Sequence, residues 1–299
     1  MLYRGDTPIV NVLYDNTNHY GAKSYRDWLY QEAAFRAVGT DVIPGYRLCT
    51  SAPQTIFDED ANGQSRAGGN FNGVSFHWDG QWLVVTSVMA AGWYRYRAEW
   101  RFHVDGRIVP TFGFAAVSNP NTCDAHQHHC YWRLDFDIDT AGSNRVEQRQ
   151  LRFLPADPPS FTFADVTHRP FWGERFRIGW FTVATERRMD RDVFSAWRVS
   201  NTTTGRGYVI YPGANDGQHD NGFGTGDVWA LRYRASEDHD PRQFADDSAH
   251  IDDFVNGESI IDTDVVVWYA GHAHHDQHHD DLSGQHGHVV GPILTPHQW

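Results

Sequence analysis

HQHHCYWRLDFDID, residues 126–139, alternates as a β-strand does. Trp132, Leu134, Phe136 and Ile138 interleave with Arg133, Asp135, Asp137 and Asp139. This period of two predicts one buried face and one acidic face. If the strand runs unbroken to its head, His126 and His128 share the buried face about 6.6 Å apart, close enough for two imidazoles to hold one metal. Far downstream, in WYAGHAHHD (268–276), His274 offers a third imidazole from a separate segment. Three nitrogen ligands with open positions describe a catalytic metal better than a closed structural one, and they suit copper or zinc, with affinity highest for copper.

Working outward from this strand, the chain from about residue 74 reads as strands joined by tight turns. VSFHW and QWLVVTSV flank Asp79-Gly80, and WYRYRAEWRFHV and RIVPTFGF flank Asp105-Gly106. Both Asp-Gly pairs are strong hairpin signals. Further strands are expected at FRIGWFTVA, GYVIYP, DVWALRYR and DTDVVVWYA, separated by turns rich in Gly, Asn, Asp and Pro. Only Tyr25 to Val38 shows helical periodicity. Residues 213–225 and 235–257 are polar connections, and there is neither an internal repeat nor a dividing linker. The expectation is an all-β chain, an antiparallel β-sandwich, with residues 1–299 forming a single domain.

Composition narrows the partners. The 299 residues carry a formal net charge of −13, which disfavours nucleic acid and makes cationic substrates electrostatically easier. The sole lysine, Lys23, leaves one candidate for Schiff-base chemistry by an enzyme amine, in no recognisable context. Cys49, Cys123 and Cys130 are odd in number and form no Cys-x-x-Cys arrangement, so they do not define a redox compartment. No apolar run approaches the roughly 20 residues of a membrane helix, and the start MLYRGDTPIV does not read as a signal peptide. The expected location is cytoplasmic, or secreted if a leader was removed.

With the strands placed, the ordered motifs resemble the catalytic domain of copper amine oxidases, the topaquinone-containing family. The blocks are W-Y-R-Y at 93–96 with Trp100, WRFHVDGRIVPTFGF, HQHHCYWRLDFDID, AWRVSN, VWALRYR, NGESIIDTDVVVWYAG and HVVGPILTP. They run in family order over about residues 80–299, whereas 1–80 match poorly. The resemblance implies a large β-sandwich, usually homodimeric, around a buried copper. His126 and His128 fall on the paired copper ligands. His274 falls on the third when counted from Gly271, and His275 does so when counted from Trp268. Tyr94 falls on the tyrosine that the family converts, with copper and dioxygen, to the catalytic quinone. Asp135, Asp137 and Asp264, with the carbonyls of Phe136 and Val265, fall on a peripheral calcium-type site, for which an all-oxygen donor set is chemically apt.

Each of these residues also has a plainer reading. Tyr94 could be one more core aromatic, and Asp135 and Asp137 the solvated face of an amphipathic strand. His272, His278, His279, His286, His288 and His297 make the tail His-rich, and most are expected to be solvated. The sequence also departs from the family. Trp93 and Arg95 flank Tyr94 where the family has Asn and an acidic residue. The segment AAFRAVG puts Arg36 where the family carries its catalytic aspartate, and an arginine cannot act as a base near neutral pH. The function these readings support is a copper-dependent oxidoreductase using dioxygen on a small-molecule substrate, with amine oxidation as its sharper form. The alternatives are a quinone-free copper enzyme of biosynthetic tailoring type and a catalytically degenerate copper-binding protein.

Overall fold

The computed structural model describes residues 1–14, 23–29, 75–91, 94–116, 126–154, 175–217, 226–237, 251–275 and 288–299. Among these, sixteen strands numbered in chain order build two antiparallel sheets. The smaller has the order β10 (Arg187–Met189), β13 (Val228–Arg232), β14 (Val265–His275), β7 (His126–Phe136), β1 (Leu2–Tyr14) and β2 (Lys23–Leu29). The larger runs β3 (Ser75–Trp78), β4 (Trp82–Ala91), β5 (Tyr94–His103), β6 (Ile108–Ala116), β16 (Ile293–His297), β12 (Gly207–Tyr211), β11 (Ala196–Asn201), β8 (Asn144–Leu154) and β9 (Arg175–Val183). β15 (His288–Val290) also pairs with β6. The expected antiparallel sandwich is the observed architecture.

Both hairpins form at the Asp-Gly pairs for a visible reason. Gly80 and Gly106 have φ of 100° and 89°, a region that costs glycine nothing. Asp79 Oδ1 accepts the amides of Gln81 and Trp82 at 2.9 and 2.8 Å, and Asp105 Oδ1 accepts that of Arg107 at 3.0 Å. These are the local side-chain bonds that make aspartate a turn residue.

The core between the sheets takes the even-numbered side chains of β7 (Cys130, Trp132, Leu134, Phe136), followed by Ile138, and the odd-numbered ones of β14 (Val265, Val267, Tyr269, Ala273). Against them pack Tyr96, Phe112, Phe114, Trp197, Ile210 and Leu294 of the larger sheet. The alternation expected for residues 132–138 therefore holds on its apolar side.

Its acidic side differs from the expectation of a solvated face. Arg133 is fully buried and Asp135 is 3% exposed. A second apolar layer covers the outer face of the small sheet, built from Tyr131, Trp229, Leu231, Val266, Trp268 and Ala270 with Ile251 and Phe254. The last two belong to a 3₁₀ turn, Ile251–Phe254. A central strand flanked by β14 and β1 is covered on both sides, and its charges must find partners inside. Arg133 Nη1 lies 3.7 Å from Asp135 Oδ2, and its guanidinium sits 5.4 Å from the Tyr233 ring centre.

The helical reading of Tyr25 to Val38 is corrected at its start. Residues 23–29 form β2, because pairing with β1 (Trp28 opposite Val10, Tyr25 opposite Val12) outweighs a modest local preference. The remainder, including Arg36, lies outside the described residues, as do Cys49, Cys123, Trp93, His278, His279 and His286.

Candidate metal centre

His128 is fully buried on the core side of β7. Its ring stacks on Phe114 at 4.4 Å between centres and meets Tyr96 edge-on at 5.9 Å. The Tyr96 hydroxyl stands 3.4 Å from His128 Nδ1. Tyr96 is held in turn by Phe112 and Phe114 at 5.4 and 5.6 Å. A phenol at one ring nitrogen and an aromatic wall along the ring fix the orientation of the imidazole, the arrangement that sets which nitrogen faces a metal. Nothing in the sequence alone distinguished Tyr96 from its aromatic neighbours.

The side chains of His126, His274, His275, Tyr94 and Arg95 lie outside the described residues, but their strand register is given. In the β7–β14 ladder, His275 pairs with His126, Ala273 with His128, His274 with Gln127 and His272 with His129. Residues directly across an antiparallel pair share a face. Ala273 packs in the same core as Cys130 and Trp132, so the row through positions 128 and 273 is the core row, and positions 126 and 275 continue it. Position 274 falls in the other row, with His272 and His129. On β5, Tyr94 occupies the next position after Tyr96 in the row facing the core, opposite Ala116.

At the opposite end of β7, oxygen atoms of Asp135, Asp137 and Asp264 lie within 4.8 Å of one another. Burial first, and then repulsion by Asp137, pushes the Asp264 carboxyl up to about 6, against the pull of Arg133 and Arg232. Carboxylates this close resist ionising together, and a hard divalent cation would relieve that cost. Phe136 and Val265 face each other across the ladder beside this cluster, and the Phe136 carbonyl also accepts the Asn144 amide at 3.4 Å.

A third polar assembly escaped the sequence reading. His272, grouped there with a solvated tail, is 2% exposed, and His129 is fully buried. Their Nδ1 atoms are 2.7 Å apart. His272 Nε2 lies 3.0 Å from Asp227 Oδ1, and Asp227 Oδ2 accepts the Arg191 amide at 2.5 Å. Burial alone would raise Asp227, but the hydrogen bond from His272 and the charge and amide of Arg191 hold its carboxyl at about 2. Burial, reinforced by His272, lowers His129 well below the usual histidine range and keeps it neutral. The signal was present as a second His-x-His, residues 272–274, which sequence spacing alone could not assign to a face.

Comparison with known proteins bears on the family and the fold. The profile of the family described as copper amine oxidase, enzyme domain, matches residues 110–299. No curated protein sequence matches the chain. Among solved structures, an amine oxidase from Aspergillus nidulans superposes with a TM-score of 0.66 at 16% identity, covering 99% of this chain and 47% of that one. A copper-containing benzylamine oxidase from Hansenula polymorpha gives 0.66 at 16% identity, with 99% and 55% covered. A lysyl oxidase from Pichia pastoris gives 0.62 at 14%, with 100% and 48% covered. The chain thus spans about half the length of these neighbours, which at such identities share its fold. With the profile covering well over half of its residues, this chain belongs to the copper amine oxidase family.

Proposed function

We propose that this chain is a copper-dependent oxidoreductase that uses dioxygen on a small-molecule substrate, with His126, His128 and His275 as the copper ligands. The observation that carries this reading is the buried, aromatically clamped His128 in the same core row as positions 126 and 275. The strand register favours His275 over His274, because position 274 pairs with Gln127 in the opposite row. Three imidazole donors, which ligate in their neutral form, suit copper. When bound, copper with a quinone made from Tyr94 would supply the two-electron oxidation of a primary amine, with dioxygen as terminal oxidant. The chain's own contribution is to hold His128 through Tyr96 and Phe114, to exclude water with the Phe112–Phe114 wall, and to present position 94 beside position 96 on the core row of β5.

A second reading, quinone-free copper chemistry on a small molecule, is favoured by the replacement of family residues around Tyr94 by Trp93 and Arg95 and by Arg36 at the base position. In a degenerate, copper-binding relative the metal would remain and turnover would not. Calcium is proposed at Asp135, Asp137 and Asp264, supported by the convergence of the three carboxylates. A homodimer is proposed from family membership alone. The deciding experiment is peptide mass spectrometry of protein loaded with copper in air. A mass gain at Tyr94 matching the quinone supports amine oxidation. Unmodified Tyr94 with peroxide production supports the second reading. Unmodified Tyr94 with bound copper and no peroxide supports a binding protein.

A further inference from the structure

We infer that His129 and His272 form a second metal site, on the face of β7 and β14 opposite the copper row, for a borderline divalent cation of the zinc or copper class. The two Nδ1 atoms point at one another at 2.7 Å inside the protein. His272 Nε2 stands 3.0 Å from Asp227 Oδ1. With Asp227 ionised, that nitrogen carries the proton and Nδ1 of His272 presents its lone pair toward His129. A carboxylate on the far nitrogen of a histidine is the arrangement that orients metal-ligating imidazoles and raises their basicity.

The carboxylate is itself fixed. Arg191 contributes its amide at 2.5 Å and Nη2 at 3.4 Å, and Nη1 of the same guanidinium donates to the Ala270 carbonyl at 2.6 Å, two residues before His272 on β14. In the present pair the bridging proton sits on His129 Nδ1; for a metal to take its place that proton moves to His129 Nε2, a change of tautomer with no change of charge. Ligands bound at about 2.0–2.1 Å in a tetrahedral site stand roughly 3.3 Å apart, so a small rotation of either ring then opens the pair to a metal. Position 274 is the next in this row of β14 and pairs with Gln127, which puts a third histidine at the same end. The ladder thus carries His126, His128 and His275 in one row and His129, His272 and His274 in the other.

The test is a count of tightly held metal by native mass spectrometry, after loading the full chain with Zn²⁺ and washing with a chelator that strips weak sites. Wild type should keep one equivalent more than His272→Gln or His129→Gln. Asp227→Asn should weaken that equivalent by about 10- to 100-fold. Loss of an equivalent in His128→Ala reports the copper row separately. If His128→Ala removes metal and His272→Gln removes none, the second site is overturned while the copper reading stands. If the reverse holds, the copper reading fails and the second site stands. Because a buried variant can fail to fold, wild-type crystals grown with Zn²⁺ give an independent check. An anomalous peak between the two Nδ1 atoms supports the site. An undisturbed hydrogen-bonded pair at saturating Zn²⁺ overturns it.

Discussion

Replacing Asp227 by asparagine keeps the side-chain shape and removes the charge at the centre of the Arg191–Asp227–His272–His129 assembly. In the folded protein the Asp227 carboxyl sits at about 2 against a usual 3.8. At 1.36 kcal/mol per unit, that difference corresponds to about 2 kcal/mol of native stability. Because the folded value is depressed, this contribution is complete above the unfolded value and is lost as pH falls through the folded one. The variant also leaves the buried Arg191 guanidinium, with a side chain 4% exposed, without its carboxylate. Removing one partner of a buried pair costs about 3–5 kcal/mol in general. Asparagine retains a carbonyl acceptor for the Arg191 amide, so the expected loss falls at or just below that range, about 2–3 kcal/mol. Urea unfolding of wild type and Asp227→Asn across pH 2 to 7 measures it. The difference between the two should be largest at pH 7 and should shrink toward pH 2. A difference below about 0.5 kcal/mol at pH 7, or one that stays constant with pH, would refute the charge-based account.

Asp264, pushed up to about 6, carries the opposite sign. Without a cation its contribution to stability is lost as pH rises from 3.8 to 6, by at most about 3 kcal/mol and nearer 1 kcal/mol once solvent screening of a partly exposed group is counted. Calcium should therefore raise the melting temperature at pH 7 and hardly at pH 4, and a shift equal at both would count against the carboxylate site. Gly291 has φ of 143°, and a Cβ there would stand 2.1 Å from the Pro110 carbonyl oxygen. Gly291→Ala should cost about 2–3 kcal/mol of unfolding free energy, and a cost under 0.5 kcal/mol would show that β6 and its neighbour yield easily. Tyr96→Phe removes the hydroxyl 3.4 Å from His128 Nδ1. It should cost about 1 kcal/mol and shift the visible absorption of the copper-loaded protein. An unchanged spectrum would separate Tyr96 from the metal centre.

Much of the sandwich was legible because it rests on local chemistry. The Asp-Gly turns at 79–80 and 105–106, the two-residue period of 132–138 and the apolar run of 265–270 each constrain the backbone within a few residues. The helical reading of Tyr25 to Val38 failed over β2 for the complementary reason, since pairing with β1 is a long-range effect that no window of sequence contains. The acidic side of β7 looked solvated because alternation reports what faces differ in, not what covers them. Trp229, Trp268 and Phe254 supply that cover from more than 90 residues away.

The same division applies to the histidines. Sequence by itself put His126 and His128 on one face of a strand, because a strand repeats every two residues, and offered His274 and His275 after Trp268 as candidate partners. It could not separate His274 from His275, nor see that His129 and His272 meet, because a shift of one residue between two strands exchanges every face. Only the tertiary structure, through the pairing of β7 with β14 and the packing of Tyr96 and Asp227 on opposite sides of that ladder, decided which histidine positions share the core row and which share the opposite one.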